Sequence, residues 1–263
     1  MPQTSPEHNR LIVSTIGAMQ QQGMTGIKAA HTDDYVQPDQ IGNYIPDVTA
    51  FAQGEHMEYL PLEVKVWSPM ACFTRPENKV ERVSYPTPTP SAARGILEAI
   101  FWKPEFRYRV REIAVLRPIQ FASILRNEVD GKATGSEGIS ITERRQQRHT
   151  LLLRDVAYVL KADIVLRPHA TDDVAKYRDQ FQRRVQRGQC FHRPALGCRE
   201  FAADFAPPDG SEAPIADTRS LGMMLFDVAF GSSSGTPLFW EAQMERGRVR
   251  VPDSLYDALG GLT

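Results

Sequence analysis

Arginine, lysine and aromatic side chains interleave through residues 72–105, CFTRPENKVERVSYPTPTPSAARGILEAIFWKPE. That mixture has a definite chemistry. Guanidinium forks grip phosphate oxygens in pairs, lysine supplies a compact positive charge, and aromatic faces stack on unpaired bases. Arg75, Lys79, Arg82, Tyr85 and Arg94 are the candidates for such contacts in this stretch. Phe73 and Trp102 either stack or pack, and Trp102 is assigned to the core. Arg126 and the run RRQQRH add a second basic set in Arg144, Arg145 and Arg148.

The charge distribution points the same way. The formal net charge of the 263-residue chain is only -1, yet residues 71–200 hold 24 Lys/Arg against 15 Asp/Glu. Residues 1–70 (3 against 8) and 201–263 (4 against 9) are acidic. A polyanion fits the basic middle, although a salt-bridged solvated surface would give the same count. The N-terminus lacks a basic-then-apolar leader, and the apolar run LGMMLFDVAF is short and broken by Asp227, so a cytoplasmic location is expected. Cys72, Cys190 and Cys198 are odd in number and widely spaced, which reads as reduced thiols in or near the core.

The elements that must position these residues follow from periodicity. NRLIVSTIGAMQQQG, residues 9–23, reads as a helix closed by Gly23, followed by strands near TGIKAAH and NYIPDVTAFAQ. In YLPLEVKVW the apolar Leu62, Val64 and Val66 alternate with Glu63 and Lys65, the pattern of a half-buried strand. PTPTP forces extended backbone, after which Thr89 caps a helix with Pro90 at its first position, running to Lys103-Pro104. EIAVLRPIQFASIL and RDVAYVLKADIVL read as strands, separated by a long polar loop from Asn127 to Thr150. A second helix is expected from Asp172 to Arg187, stopped by Gly188, with Val174, Tyr177, Phe181 and Val185 on its apolar stripe. A glycine-containing loop, a strand and a β-rich tail complete the chain. From residue 60 the order suggests an α+β, ferredoxin-like sheet with two helices on one face and a small β extension.

Several motifs carry a family resemblance. VKVWSPMACFTRPENKVERVSYPTPTPSAARGILEAIFWKP, RPIQF, LRNEV, RRQQRHTLLLRDVAYVL, RGQCFHRPALGCREF and LGMMLFDVAF occur in one collinear series from residue 60 to about 255. Together they resemble the CRISPR-associated Cas-five family in its type I-C subtype. The resemblance implies a ferredoxin-like (RRM-like) domain of the repeat-associated RAMP superfamily at 60–204, with a C-terminal β-rich subdomain at 205–263. It also implies an endoribonuclease that matures CRISPR RNA by cutting the repeat hairpin without metal or cofactor. Such a protein then stays on the 5′ handle within the Cascade complex of antiviral defence, beside Cas-seven backbone and Cas-eight large subunits, and meets target DNA indirectly. A non-catalytic RNA-binding subunit of Cascade is the alternative.

Metal-free cleavage needs the 2′-hydroxyl deprotonated, the phosphorane charge balanced and the 5′-oxygen protonated. By resemblance, the catalytic set is an aromatic or histidine before WKP and a lysine-histidine pair at the start of the second helix. Those positions hold Phe101, Lys176 and Tyr177 here. Phenylalanine moves no proton, and tyrosine, with a reference pKa near 10, is a weak substitute for histidine near 6.5. Lys176 keeps its role of neutralising phosphate. His149 and His192 are alternative bases, each with a structural reading beside the catalytic one.

Family members of this subtype usually begin near LEVKVW, which leaves residues 1–59 as an N-terminal extension. Asp47 after Pro46, and Glu63-Val64-Lys65 some way on, resemble part of a PD-(D/E)xK nuclease, whose carboxylates would hold magnesium while the lysine positions water. The motif is short, and its last strand is the one that the Cas-five fold needs first. A vestigial or fused appendage is therefore the default expectation.

Overall fold

Alternation in LEVKVW produces the first described strand, β1 (Leu62–Ala71), which buries Leu62, Val64 and Val66 and turns Glu63, Lys65 and Trp67 to the other face. The structure, a computed structural model, describes residues 59–78, 80–129, 131, 141–229 and 235–260. The helix and strands expected before residue 59, Asp47 and Lys79 lie outside the described residues.

Helix α1 (Pro90–Ile100) starts as its sequence requires. Thr89 Oγ1 accepts from the Ala92 N–H at 3.1 Å, and Pro90 opens the helix without wasting a donor. It stops at Ile100, before Lys103-Pro104, because Phe101 turns extended and drops into the core. The Tyr108 hydroxyl then donates to the Phe101 carbonyl at 2.8 Å.

Strands β2 (Phe106–Val115) and β3 (Phe121–Val129) divide the run expected as a single strand. Pro118 lies between them, and a residue without N–H cannot carry a ladder onward. After one helical turn, α2 (Ile141–Arg144), comes β4 (Arg145–Leu166), a strand of 22 residues. Its polar beginning, RQQRHT, is strand and not the expected loop. β4 pairs with β3 from Val129↔Arg145 to Phe121↔Leu153, and other partners join only from Leu151 onward. Both faces of the stretch RQQRHT on this arm are largely exposed, so no apolar alternation marks it.

Helix α3 (Val174–Gln186) has Asp173 as its cap, accepting from the Ala175 N–H at 3.3 Å, and buries Tyr177, Phe181 and Val185. Strands β5 (Asp204–Ala206), β6 (Arg219–Ala229), β7 (Thr236–Met244) and β8 (Arg248–Arg250) and helix α4 (Asp253–Gly260) follow. The main sheet is antiparallel in the order β5-β1-β4-β2-β8, while β6 and β7 form a separate hairpin. Side chains of β1, α1, β2, β4 and α3 share one buried cluster, so the two longer helices cover one face of a mixed α+β layer. The tail is tied to that layer. β8 extends it beside β2, and the Tyr256 hydroxyl accepts from the Val110 N–H at 2.8 Å and donates to the Val110 carbonyl at 3.0 Å.

The free thiols of Cys72 and Cys198 lie 3.6 and 3.4 Å from Thr74 Oγ1, with Cys72 buried. No described helix is long and apolar enough to cross a membrane. Gly197 is required where it stands. Its φ is +84°, and a Cβ there would fall 1.9 Å from the Cys72 carbonyl oxygen. Gly197→Ala is therefore expected to destabilise by more than about 2 kcal/mol, and Thr89→Ala by about 1 kcal/mol. Urea unfolding of both variants checks the ranking, and an equal or reversed order would contradict it.

Candidate active site

The end of α1 and the start of α3 meet across the segment Trp102–Glu105 and the turn after β4. The Arg167 N–H donates to the Glu105 carbonyl at 2.8 Å, which fixes that turn against the segment. Beneath lies an aromatic layer. Phe106 is 5.5 Å from Phe101 and 5.1 Å from Tyr177 between ring centroids, and all three are buried. Lys103 Nζ stands 5.8 Å from the Tyr177 ring centroid, and the Arg184 guanidinium 5.2 Å from that of Phe101.

Three groups of the proposed chemistry sit at this junction. Lys176 is exposed and its Nζ bonds Asp172 Oδ1 at 2.8 Å, an interaction that raises its pKa and keeps the ammonium charged. Tyr177 is wholly buried, and its hydroxyl makes no hydrogen bond of normal geometry among the described residues, the Asp172 backbone being its nearest polar partner. Burial pushes its pKa up, with the Glu105 and Asp172 carboxylates adding to the effect, which makes it a poor proton carrier at neutral pH. Phe101 forms part of the floor under Arg184. His169, a residue missed in sequence, is exposed with Nε2 3.1 Å from the Pro104 carbonyl oxygen. A carbonyl only accepts, so Nε2 carries the proton and Nδ1 is the basic nitrogen. The signal was available in RPHATDD, just ahead of the cap Asp173, but nothing in the spacing linked it to Pro104.

His192 is also nearby, since its N–H donates to the Ala99 carbonyl at 3.1 Å, whereas His149 pairs with Leu125 on the arm. His149 therefore lies near the start of β4, whereas Lys176 is on α3, which follows the other end of that strand.

Comparison with known proteins agrees with this architecture. A family model described as CRISPR-associated protein (Cas_Cas5) matches residues 61–252. The chain belongs to the CRISPR-associated Cas5 family. A relative from Thermus thermophilus, named CRISPR pre-crRNA endoribonuclease Cas5d, is 51% identical over 75% of this chain and 94% of its own. Another of that name, from Mannheimia succiniciproducens, is 41% identical over 73% and 94%. Among solved structures, a CRISPR-associated protein shares the fold with a TM-score of 0.55 at 23% identity, covering 74% of this chain and 95% of its own. A functionally uncharacterized protein from Streptococcus mutans does so with 0.56 at 20%, covering 74% and 93%.

The remaining candidates of this Cas5 chain fall into two groups. On the arm, Arg144 and Arg145 are exposed, Arg148 bonds Gln146 at 2.7 Å, and Arg126 reaches Thr150 at 2.6 Å and pairs with Glu128. In the connection before α1, Arg75 lies 4.5 Å over the Tyr85 ring and Arg82 pairs with Glu200 at 2.9 Å. Tyr85 itself is buried, its hydroxyl accepting from the Leu225 N–H at 3.2 Å, so it offers no face for a base. Phe73 is buried too, while Trp102, expected in the core, is half exposed because the chain leaves α1 outward after Phe101. Arg94 pairs with the buried Asp227 of β6 and with Glu98 at 3.5 Å. Glu63 pairs with Lys161 at 2.6 Å and Lys65 with Glu212 at 2.9 Å, so both are occupied in ion pairs on the open face of the sheet.

Removing Arg94 leaves the Asp227 carboxylate buried without its cation. Arg94→Ala is expected to cost about 2 kcal/mol. Thermal unfolding checks this, and an unchanged midpoint would instead make Arg94 a free surface cation.

Proposed function

We propose that this Cas5 chain matures CRISPR RNA, cutting the repeat hairpin of the precursor and then holding the 5′ handle as a subunit of a type I-C Cascade complex. Its relatives' name, at 51 and 41% identity, supports the reaction class. The observation that carries the reading is that Lys103 Nζ stands 5.8 Å from the ring of Tyr177, the neighbour of Lys176, while the exposed His169 bonds the carbonyl of Pro104, the neighbour of Lys103. The strand succession with the order β5-β1-β4-β2 supports a ferredoxin-like RNA-binding domain over 60–204, with the β extension 205–263 and the segment 1–59 as additions. By family resemblance, backbone and large subunits of Cascade are its protein partners.

In this mechanism His169 Nδ1 takes the proton of the 2′-hydroxyl, and the 2′-oxygen attacks the adjacent phosphorus. The P–O5′ bond breaks, leaving a 2′,3′-cyclic phosphate and a 5′-oxygen that takes a proton from water, while the proton on His169 returns to solvent. The ammonium groups of Lys176 and Lys103 balance the charge gathering on the phosphorane. No step requires a metal. The buried Tyr177 hydroxyl is left out of the proton path, and Phe101 shapes the floor. The arginines of the arm hold flanking phosphates.

The test is cleavage of a labelled repeat hairpin in excess EDTA. One cut with a cyclic end is expected, slowed by at least about 100-fold in Lys176→Ala and His169→Ala, with imidazole restoring the latter. Tyr177→Phe should retain the activity and unfold no earlier, since it removes an unsatisfied hydroxyl. Its inactivation would return the proton to that hydroxyl. Tight binding with no cut by the unaltered protein would favour the structural-subunit reading, the one suggested by two buried rings at the expected catalytic positions.

Arm contacts are read separately. Arg145→Ala should weaken RNA binding and lower the salt slope of log K by about 0.7, without shifting the unfolding midpoint. An unchanged slope would remove Arg145 from the interface.

A further inference from the structure

Phe191 is 77% exposed, the most exposed large apolar side chain among the described residues, and Trp102 is 50% exposed. The backbone under Phe191 is firmly tied. Its N–H donates to the Ala99 carbonyl at 2.9 Å and to the Ile100 carbonyl at 3.3 Å, and the His192 N–H donates to Ala99 at 3.1 Å. Arg184 adds a bond to the Ile100 carbonyl at 3.1 Å. The last carbonyls of α1, which have no partner within the helix, are thus satisfied by the segment that carries Phe191. Trp102 leaves the same helix end two residues later.

The fold therefore presents an aromatic ring to solvent from a fixed backbone. His192 lies edge-on to it at 5.6 Å between centroids, and no core ring packs against it among the described residues. Beside it Arg184, bonded to the same Ile100 carbonyl, forms no ion pair with a described carboxylate. An apolar face beside an unpaired positive charge suits a nucleobase whose own chain brings phosphates.

We propose that Phe191, with Trp102 beside it, is a stacking site for unpaired bases of the RNA strand that crosses the junction. The proposal rests on the RNA-cutting function above and adds to it a means of fixing the strand's register. Arg184 and Lys176 lie about two turns apart on α3, roughly 12 Å, so the stacked base is not the nucleotide being cut but one a short way along. Stacking removes the exposed ring from water and holds the strand so that the scissile phosphate meets Lys176. It tolerates any base, because each has a π face.

The experiment uses the full chain and a repeat hairpin with a 2′-deoxy nucleotide at the cut, so that binding is read without cleavage. 2-Aminopurine is placed singly at each unpaired position near the cut. One position should be quenched on binding. Phe191→Ala should abolish that quench and weaken binding by about tenfold, Phe191→Tyr should preserve both, and Phe191→Leu should keep apolar bulk but lose the quench. Unfolding midpoints should be unchanged, because the side chain is exposed. If the unaltered protein binds and no quench responds to Phe191→Ala, the stacking site is wrong. A normal quench pattern combined with lost binding to other protein subunits would overturn it too, assigning the ring to a protein contact. If the quench is present but the all-ribose hairpin is never cut, the nuclease reading fails and the stacking site stands.

Discussion

Backbone hydrogen bonds along β4 hold the parts of the molecule in relation to one another. At its beginning the strand is paired only with β3, in its middle with β1, and near its end with β2. The arm, the sheet and the turn that delivers His169 are consecutive stretches of that strand and its exit. Asp155, with φ of 52°, sits near the change of partners and lets the strand depart from regular pleating there. Its carboxylate pairs with Arg117.

The basic middle of the chain has two kinds of arginine. Arg94 and Arg82 are committed to carboxylates far away in sequence, Asp227 and Glu200, and so help join the connection before α1 to later parts of the fold. Arg144 and Arg145 are exposed on the arm, and Lys103 and Arg184 cluster around the end of α1. Composition treats these side chains alike. Their consequences differ, because a paired guanidinium already has its donors and charge partly satisfied, whereas an unpaired one keeps them for an incoming anion.

Local signals of the fold were readable where they were chemical. The Thr89 cap, Pro90, the apolar stripe of α3 and the alternation of β1 each specify a neighbour a few residues away, and each is present as expected. The polar strand at the start of β4 was not readable, since an arm solvated on both faces has no buried side to impose a period. At the junction, Lys176 and Tyr177 were singled out by family resemblance as catalytic, while the apolar stripe gave Tyr177 a competing place in the core, where it is buried. His169 escaped notice because its relation to Pro104 is made by tertiary folding across sixty-five residues. The outward turn of Trp102 depends likewise on Phe101 being pulled inward, a competition between adjacent aromatics that periodicity does not decide.

Pairing of β1 with β4 also carries a cost in time. Leu62 is opposite Ala162, so β1 is synthesised about a hundred residues before the segment that completes its hydrogen bonds. A chain emerging from the ribosome thus carries β1 as an open edge through the making of α1, β2 and β3. Closing so long a loop is entropically slow, and unpaired edges invite wrong partners meanwhile. The arm needs no such wait, because β3 and the start of β4 are near neighbours in sequence. Assembly of this sheet is accordingly paced by the arrival of its central strand, with the arm as the portion able to form first.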